Sequence, residues 1–256
     1  MNVIKRYFTK RILQRHSIPF STWHRVTVKM PLIVARSNKE KARLRLLSTL
    51  FLYKKSFTGT HGLEVTLEMG ITIAAQACLE ILYIGLNAFD GWIEIILYPS
   101  TFIVQRYISD ENGVVHSETK RLSGESWGRG PVILSWQDVA QDSYHLHQGH
   151  NIVIHEFAHK LDMLSGLADG QPPLTHDMSL QQWSDSLRKA HATLVNQIEH
   201  QQHSYINDYA ATNPAEFFAV SCEYFFTAPQ RLEKQCPAVY QQLKSYFRQD
   251  LLLNKR

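Results

Sequence analysis

The chain has 256 residues, 44% of them hydrophobic and 20% charged, the balance of a soluble globular protein with one sizeable core or two lobes sharing a cleft. Its net charge of +4 hides an asymmetry, because residues 1–55 hold 14 Lys/Arg against one acid, Glu40, while the remainder is net acidic. Three cysteines, Cys78, Cys222 and Cys236, without C-x-x-C spacing are expected as reduced thiols of a cytoplasmic protein, and neither a signal peptide nor a membrane span is legible.

Residues 1–40 read as a basic N-terminal arm in which Pro19 and Pro31 interrupt any long helix. Such an arm can meet nucleic acid, an anionic surface or the acidic remainder of the chain. No nucleic-acid motif accompanies the charge, so direct nucleic-acid binding is not expected and a solvated helical surface is. Helical periodicity follows over 39–57 and 64–86, with Gly85 near the end of the second stretch. Residues 92–98 and 101–108 are rich in Ile, Val and aromatics and predict strands, followed by a turn at 110–113. After a Gly128-Arg129-Gly130 turn, 131–136 predicts another short strand. Helices are predicted over 147–164, 179–202, 214–227 and 236–252, with Gly166, Gly170, Pro172 and Pro173 in the loop between the first two. The fold class is α+β and predominantly helical, with a small sheet packed against one functional helix. Residues 41–256 form the expected catalytic domain, with helices and sheet to about 145 and a helical lobe over 146–256.

The functional helix carries His155-Glu156-Phe157-Ala158-His159. Histidines at i and i+4 lie about 40° apart around a helix, so both imidazoles reach one metal ion. Glu156 then sits beside the metal's open position, where a carboxylate can take a proton from an attacking water. Gln148, Asn151, His155, His159 and Asp162 form one polar stripe, while Ile152, Val153, Ile154, Phe157, Ala158, Leu161 and Leu164 cover the other faces. A solvent-facing stripe would carry Lys, Glu or Arg; buried polar groups on an apolar helix need partners instead. The expected reading is a zinc peptidase with one zinc ion and a peptide or protein substrate.

A zinc site of this kind needs a third protein ligand. The segment from Asn213 to Phe226 starts with a well-signalled helix, Asn213 at the N-cap and Pro214 at N1, and its body is apolar nearly all round. Glu216 and Glu223, seven residues apart, share a face and are costly to bury unless something positive meets them. Glu216 can instead complete a capping box, and Glu223 can serve as an ion-paired carboxylate behind the metal. Spacing does not choose between them. His145, His147 and His150 precede the functional helix in a loop and read as a surface with adventitious metal affinity.

The stretches GWIEIILYPSTFIV, SWGRGPVILSW, NIVIHEFAHKLD, DGQPPL and DYAATNPAEFFAVSCEYFF resemble the Mlc titration factor A family of bacterial zinc peptidases, from about Gly62 onward. The family is also similar to the catalytic domain of anthrax lethal factor. The resemblance implies a zincin-like domain with His155 and His159 as metal ligands, Glu156 as the catalytic carboxylate and Glu216 as the third ligand. It further implies a tyrosine near the metal, Tyr209, whose phenol O–H suits donation to a developing oxyanion. The implied activity is peptidase, aminopeptidase-like on small substrates, and the implied partner is a transcriptional repressor of sugar-uptake genes. An alternative reading keeps the zinc site but makes partner binding the main act. Thermolysin-like zinc peptidases place an Asp four residues after the ligand Glu; here that residue is Val220, so the histidines must be oriented by another group, with Asp162, Asn151 and Glu223 as candidates. The strand at 132–135 is either an edge that pairs with extended substrate or an internal strand.

Overall fold

A computed structural model describes residues 3–109, 115–122, 124–126 and 130–253. Three helices open the chain: α1 (Val3–His16), α2 (Phe20–Thr27) and the single turn α3 (Pro31–Val34). The two prolines sit at helix starts, Pro19 before α2 and Pro31 in the first turn of α3, where a missing N–H removes no intrahelical bond. Trp23, Val26, Met30, Leu32 and Ile33 are buried in the same core as the rest of the chain. Short helices turn these apolar positions inward, which a count of charges does not register.

Helix α4 (Asn38–Lys54) begins with a capping box, Ser37 accepting from Glu40 N while the Glu40 carboxylate accepts from Ser37 N. Helix α5 (Leu67–Glu80) is apolar nearly all round and buried, and it packs against α4. The helix expected to reach residue 86 stops at Glu80; a 3-10 turn follows at Leu86–Phe89 after Gly85, whose φ of 102° favours glycine.

Among the described residues there are six strands, β1 (Ser56–Gly59) before α5 and, after it, β2 (Glu94–Tyr98), β3 (Phe102–Ser109), β4 (Val115–Leu122), β5 (Gly124–Ser126) and β6 (Val132–Ser135). One sheet has the order β1-β2-β6-β5, parallel except for β5, which runs antiparallel to β6. A separate hairpin pairs β3 with β4, Phe102 opposite Leu122 and Ser109 opposite Val115. The turn expected at 110–113 lies outside the described residues, as do Gly128 and Arg129. Strand β6 is internal, flanked by β2 and β5, so the edge next to the functional helix is β5.

The C-terminal half is helical: α6 (Trp136–Tyr144), α7 (Ile152–Asp162), α8 (Leu180–Glu199), α9 (Pro214–Thr227), α10 (Pro229–Gln235) and α11 (Pro237–Phe247). Helix α7 starts later than its periodicity suggested because Asn151 caps it, Oδ1 accepting from Ile154 N at 3.0 Å. Every residue of α7 is buried, and it packs against α5, α9, β5 and β6. Phe157 anchors it in an aromatic cluster with Phe51, Phe89 and Trp92. The class is therefore α+β and predominantly helical, with the small sheet against α7. Among the described residues no helix is long and apolar enough to cross a membrane.

Candidate metal centre

Helices α7 and α9 face each other and bring His155, His159 and Glu216 together. His155 Nε2 lies 3.0 Å and His159 Nε2 3.4 Å from Glu216 Oε2, and the two Nε2 atoms are 3.2 Å apart. Among the described residues this is the one group of three His, Cys, Asp or Glu side chains able to hold a metal ion, its donor atoms all within 4.8 Å of one another. The start of α9 fixes the carboxylate. Asn213 caps the helix, Oδ1 accepting from Glu216 N at 3.0 Å, and Pro214 supplies the first turn.

The two acids of α9 take different positions. Glu216 meets the histidine Nε2 atoms, whereas Glu223 lies behind His155, its Oε1 accepting from His155 Nδ1 at 2.8 Å. Glu223 Oε2 accepts from Asn151 N at 2.6 Å. An ionised Glu223 can only accept, so His155 carries a proton on Nδ1, and Nε2 is the atom that meets Glu216, through a proton in the metal-free protein or through its lone pair where a cation replaces that proton. Two lone-pair-bearing atoms that close repel unless a cation or a proton lies between them. The donor set of two imidazole nitrogens and one carboxylate oxygen suits zinc.

The electrostatics agree with a cation-seeking site. Burial alone would lower the His155 pKa, yet Glu223 and Glu216 carry it well above the ordinary histidine value. Burial alone would raise Glu216, and the hydrogen bonds to His155 and His159 hold it far below the usual carboxylate range instead. Glu223 is likewise lowered, against its burial, by His155 and His150.

Glu156 is buried beneath strand β5. A Cβ added to Gly124 would lie 2.5 Å from Glu156 Oε1, so only glycine lets the edge strand cross the carboxylate this closely. Tyr209 stands in the 3-10 turn Asp208–Ala211, half exposed, its ring centroid 6.0 Å from that of His155. Of the three candidates for orienting the histidines, Glu223 contacts His155. Asn151 caps α7, its Nδ2 donating to Gln76 Oε1 at 2.7 Å. Asp162 Oδ2 accepts from Gly170 N at 2.8 Å and pins the loop after α7. Burial raises the Asp162 pKa to about 6.

Sequence reasoning missed Gly124, Asp142 and Gln76. Asp142 Oδ2 accepts from Ile152 N at 2.8 Å, at the first turn of α7. Gln76 Nε2 donates to Ser143 Oγ at 2.7 Å, tying α5 to α6. None of these three carries a local motif; each acts through an element distant in the chain.

A pair of imidazoles and a carboxylate converging beside a buried glutamate define a candidate centre of a metal-dependent hydrolase. A sequence model of the glucose-regulated metallo-peptidase M90 family matches residues 4–248, and the chain belongs to that family. It is 40% identical over 234 residues to Mlc titration factor A of Yersinia pestis (strain Pestoides F), spanning 90% of this chain and 85% of the relative. The same figures hold for Mlc titration factor A of Yersinia pseudotuberculosis serotype O:1b (strain IP 31758). The family likeness read from the motifs therefore stands, and it extends to residue 4 rather than beginning near Gly62.

Proposed function

We propose that the chain is a cytoplasmic zinc-dependent peptidase, aminopeptidase-like in action, with one zinc ion held by His155, His159 and Glu216. The observation that carries this reading is the convergence of those three side chains within 4.8 Å, beside Glu156. Zinc bound there would supply a Lewis acid that polarises a peptide carbonyl and lowers the pKa of a water to about 7. Glu156 takes the proton of the attacking water and returns it to the leaving amine. Tyr209, half exposed beside His155, donates its O–H to the oxyanion that develops on the carbonyl. The edge of β5 offers backbone groups to an extended peptide, with Gly124 bringing that peptide close to Glu156. The zincin-like character of the domain belongs to the same reading.

The test is peptide hydrolysis by purified protein loaded with zinc, beside a Glu156→Gln variant. Loss of about 100-fold or more in the variant, with zinc content unchanged, is expected for a missing general base. Hydrolysis at the wild-type rate by Glu156→Gln would sink the mechanism.

The relatives are named as titration factors for Mlc, which supports a second role, binding of a partner protein. The family resemblance makes that partner a transcriptional repressor of sugar-uptake genes. Capture of such a repressor that survives Glu156→Gln would separate binding from hydrolysis; capture lost with that substitution would speak against an independent binding role.

A further inference from the structure

Behind His155 the contacts continue for two more residues. The carboxylate of Glu223 spends Oε1 on His155 Nδ1 at 2.8 Å, and its Oε2 lies 3.3 Å from His150 Nδ1. The other nitrogen of His150, Nε2, lies 3.5 Å from Asp142 Oδ2. Asp142, His150, Glu223 and His155 thus form one chain of alternating acids and imidazoles, drawn from α6, the loop before α7, α9 and α7. The two carboxylates have side chains only 3% and 4% exposed, whereas the imidazole between them is 51% exposed.

Two buried carboxylates sit at the start of one helix here. Asp142 accepts from Ile152 N at 2.8 Å and Glu223 from Asn151 N at 2.6 Å. The helix N-terminus favours negative charge, but its N–H groups alone leave two acids facing each other across a short gap. His150 fills that gap with a group able to donate to both. Glu223 raises the His150 pKa through their hydrogen bond, against its partial burial, so the bridge is cationic over a wider pH range than a solvated histidine. With His150 drawing on Oε2, the carboxylate plane is held with Oε1 directed at His155. Without it, Oε2 keeps only the Asn151 N–H, and the hold on the carboxylate plane, and through it on the ring and tautomer of His155, is weaker.

We propose that His150 is a positioning residue for the metal centre, acting through Glu223 to hold His155 in the orientation and tautomer a metal requires. The inference rests on the reading of His155, His159 and Glu216 as zinc ligands. The loop histidine expected from sequence as an adventitious surface group is then a working part of the centre. His147, whose Nδ1 lies 3.2 Å from the far oxygen of Asp142, closes the outer end of the chain.

The experiment measures zinc affinity by competition with a chromogenic chelator, and thermal unfolding of the metal-free protein. The proteins compared are wild type, His150→Ala, His150→Gln, Glu223→Gln and the Glu223→Gln/His150→Ala double variant. Outer partners of metal-bound histidines are typically worth 10- to 100-fold in affinity, and His150 stands one contact further out. His150→Ala is expected to weaken zinc binding by about 10-fold, and His150→Gln, which keeps a donor, by less. Metal-free His150→Ala should still unfold cooperatively, at a temperature lowered by the loss of the group between two buried carboxylates, with His150→Gln closer to wild type. In the Glu223→Gln background the His150→Ala change should have little further effect, because the intermediary is already disabled. An unchanged affinity in His150→Ala, or an equal loss with and without Glu223, would overturn the proposal. Wild-type protein that binds no zinc would instead remove the reading beneath it.

Discussion

Two buried glutamates, Glu223 on α9 and Glu80 at the end of α5, lie in the same core and have opposite fates. Both sit on helices that are apolar nearly all round, and both are almost wholly buried. Glu223 meets His155, His150 and Asn151 N, and its pKa falls below the ordinary value despite burial. Neither oxygen of Glu80 has a hydrogen-bond partner among the described residues, and burial pushes its pKa well above the ordinary value. A buried acid on an apolar helix is thus not by itself a sign of function. What decides is whether the neighbouring helix presents donors, and α7 does so to α9.

A third acid, Glu156, is set by backbone as well: strand β5 crosses it at Gly124. A side chain at 124 would collide with its carboxylate, so Gly124→Ala must displace either the strand or the acid. Peptide hydrolysis is expected to fall by about 100-fold, the scale of a misplacement of roughly 1 Å at a reacting group. Zinc content should be unchanged, since the proposed ligands His155, His159 and Glu216 lie on α7 and α9. A Gly124→Ala protein as active as wild type would show that the close crossing has no catalytic weight.

Next in size is the exchange of the paired acid for its isostere. Glu223→Gln should weaken zinc binding by about 10- to 100-fold, because the amide is a poorer acceptor for His155 Nδ1–H. Glu80→Gln should leave zinc affinity at the wild-type value in the same chelator competition. Equal losses in the two variants would erase the distinction between a partnered and an unpartnered acid.

Much of this site is legible in the sequence, and the illegible part has a common cause. The His155–His159 pair and the Asn213 cap are local patterns with fixed helical spacing, and each appears where its spacing puts it, whereas the polar stripe runs past the helix, with Asn151 as its cap and Gln148 in the loop before it. The choice between Glu216 and Glu223 could not be read from spacing because residues seven apart share a face; the facing helix separates them. Gly124 and Asp142 have no local signature at all, since each matters only for what it touches across the chain. Strand β5 has three residues, too few to show alternation, yet it forms the edge over Glu156. The N-terminal helices were masked by charge, although Trp23 and Ile33 are core residues.

In the metal-free protein the same comparison becomes a pair of opposite pH slopes. Glu223 and Glu216, with folded pKa values below the ordinary carboxylate value of about 4.3, contribute stability that is present above that pH and is lost as acid protonates them. His155, raised well above about 6.5, contributes stability that is complete below that pH and is lost as pH rises through its folded value. Glu80 acts against Glu223: its folded pKa is raised, so its contribution declines as pH climbs above about 4.3. Denaturant unfolding at a series of pH values should therefore show a shallower acid limb for Glu223→Gln. A limb of unchanged slope in that variant would mean that Glu223 titrates alike in the folded and unfolded chains.

The smallest expected effect concerns Glu80 itself. Replacing an unpartnered buried carboxyl with an apolar side chain of similar volume removes a polar group from the core without opening a cavity. Glu80→Met should stabilise the metal-free protein by about 1–3 kcal/mol at neutral pH, read from the denaturation midpoint at constant m-value. The gain should shrink toward pH 4, where the unfolded glutamate also takes up its proton and the two states no longer differ in charge. A stabilisation that ignores pH would point to packing alone, and a destabilised Glu80→Met would mean that the carboxyl has a partner after all. In that last case α5 and α9 would both hold their acids by donors.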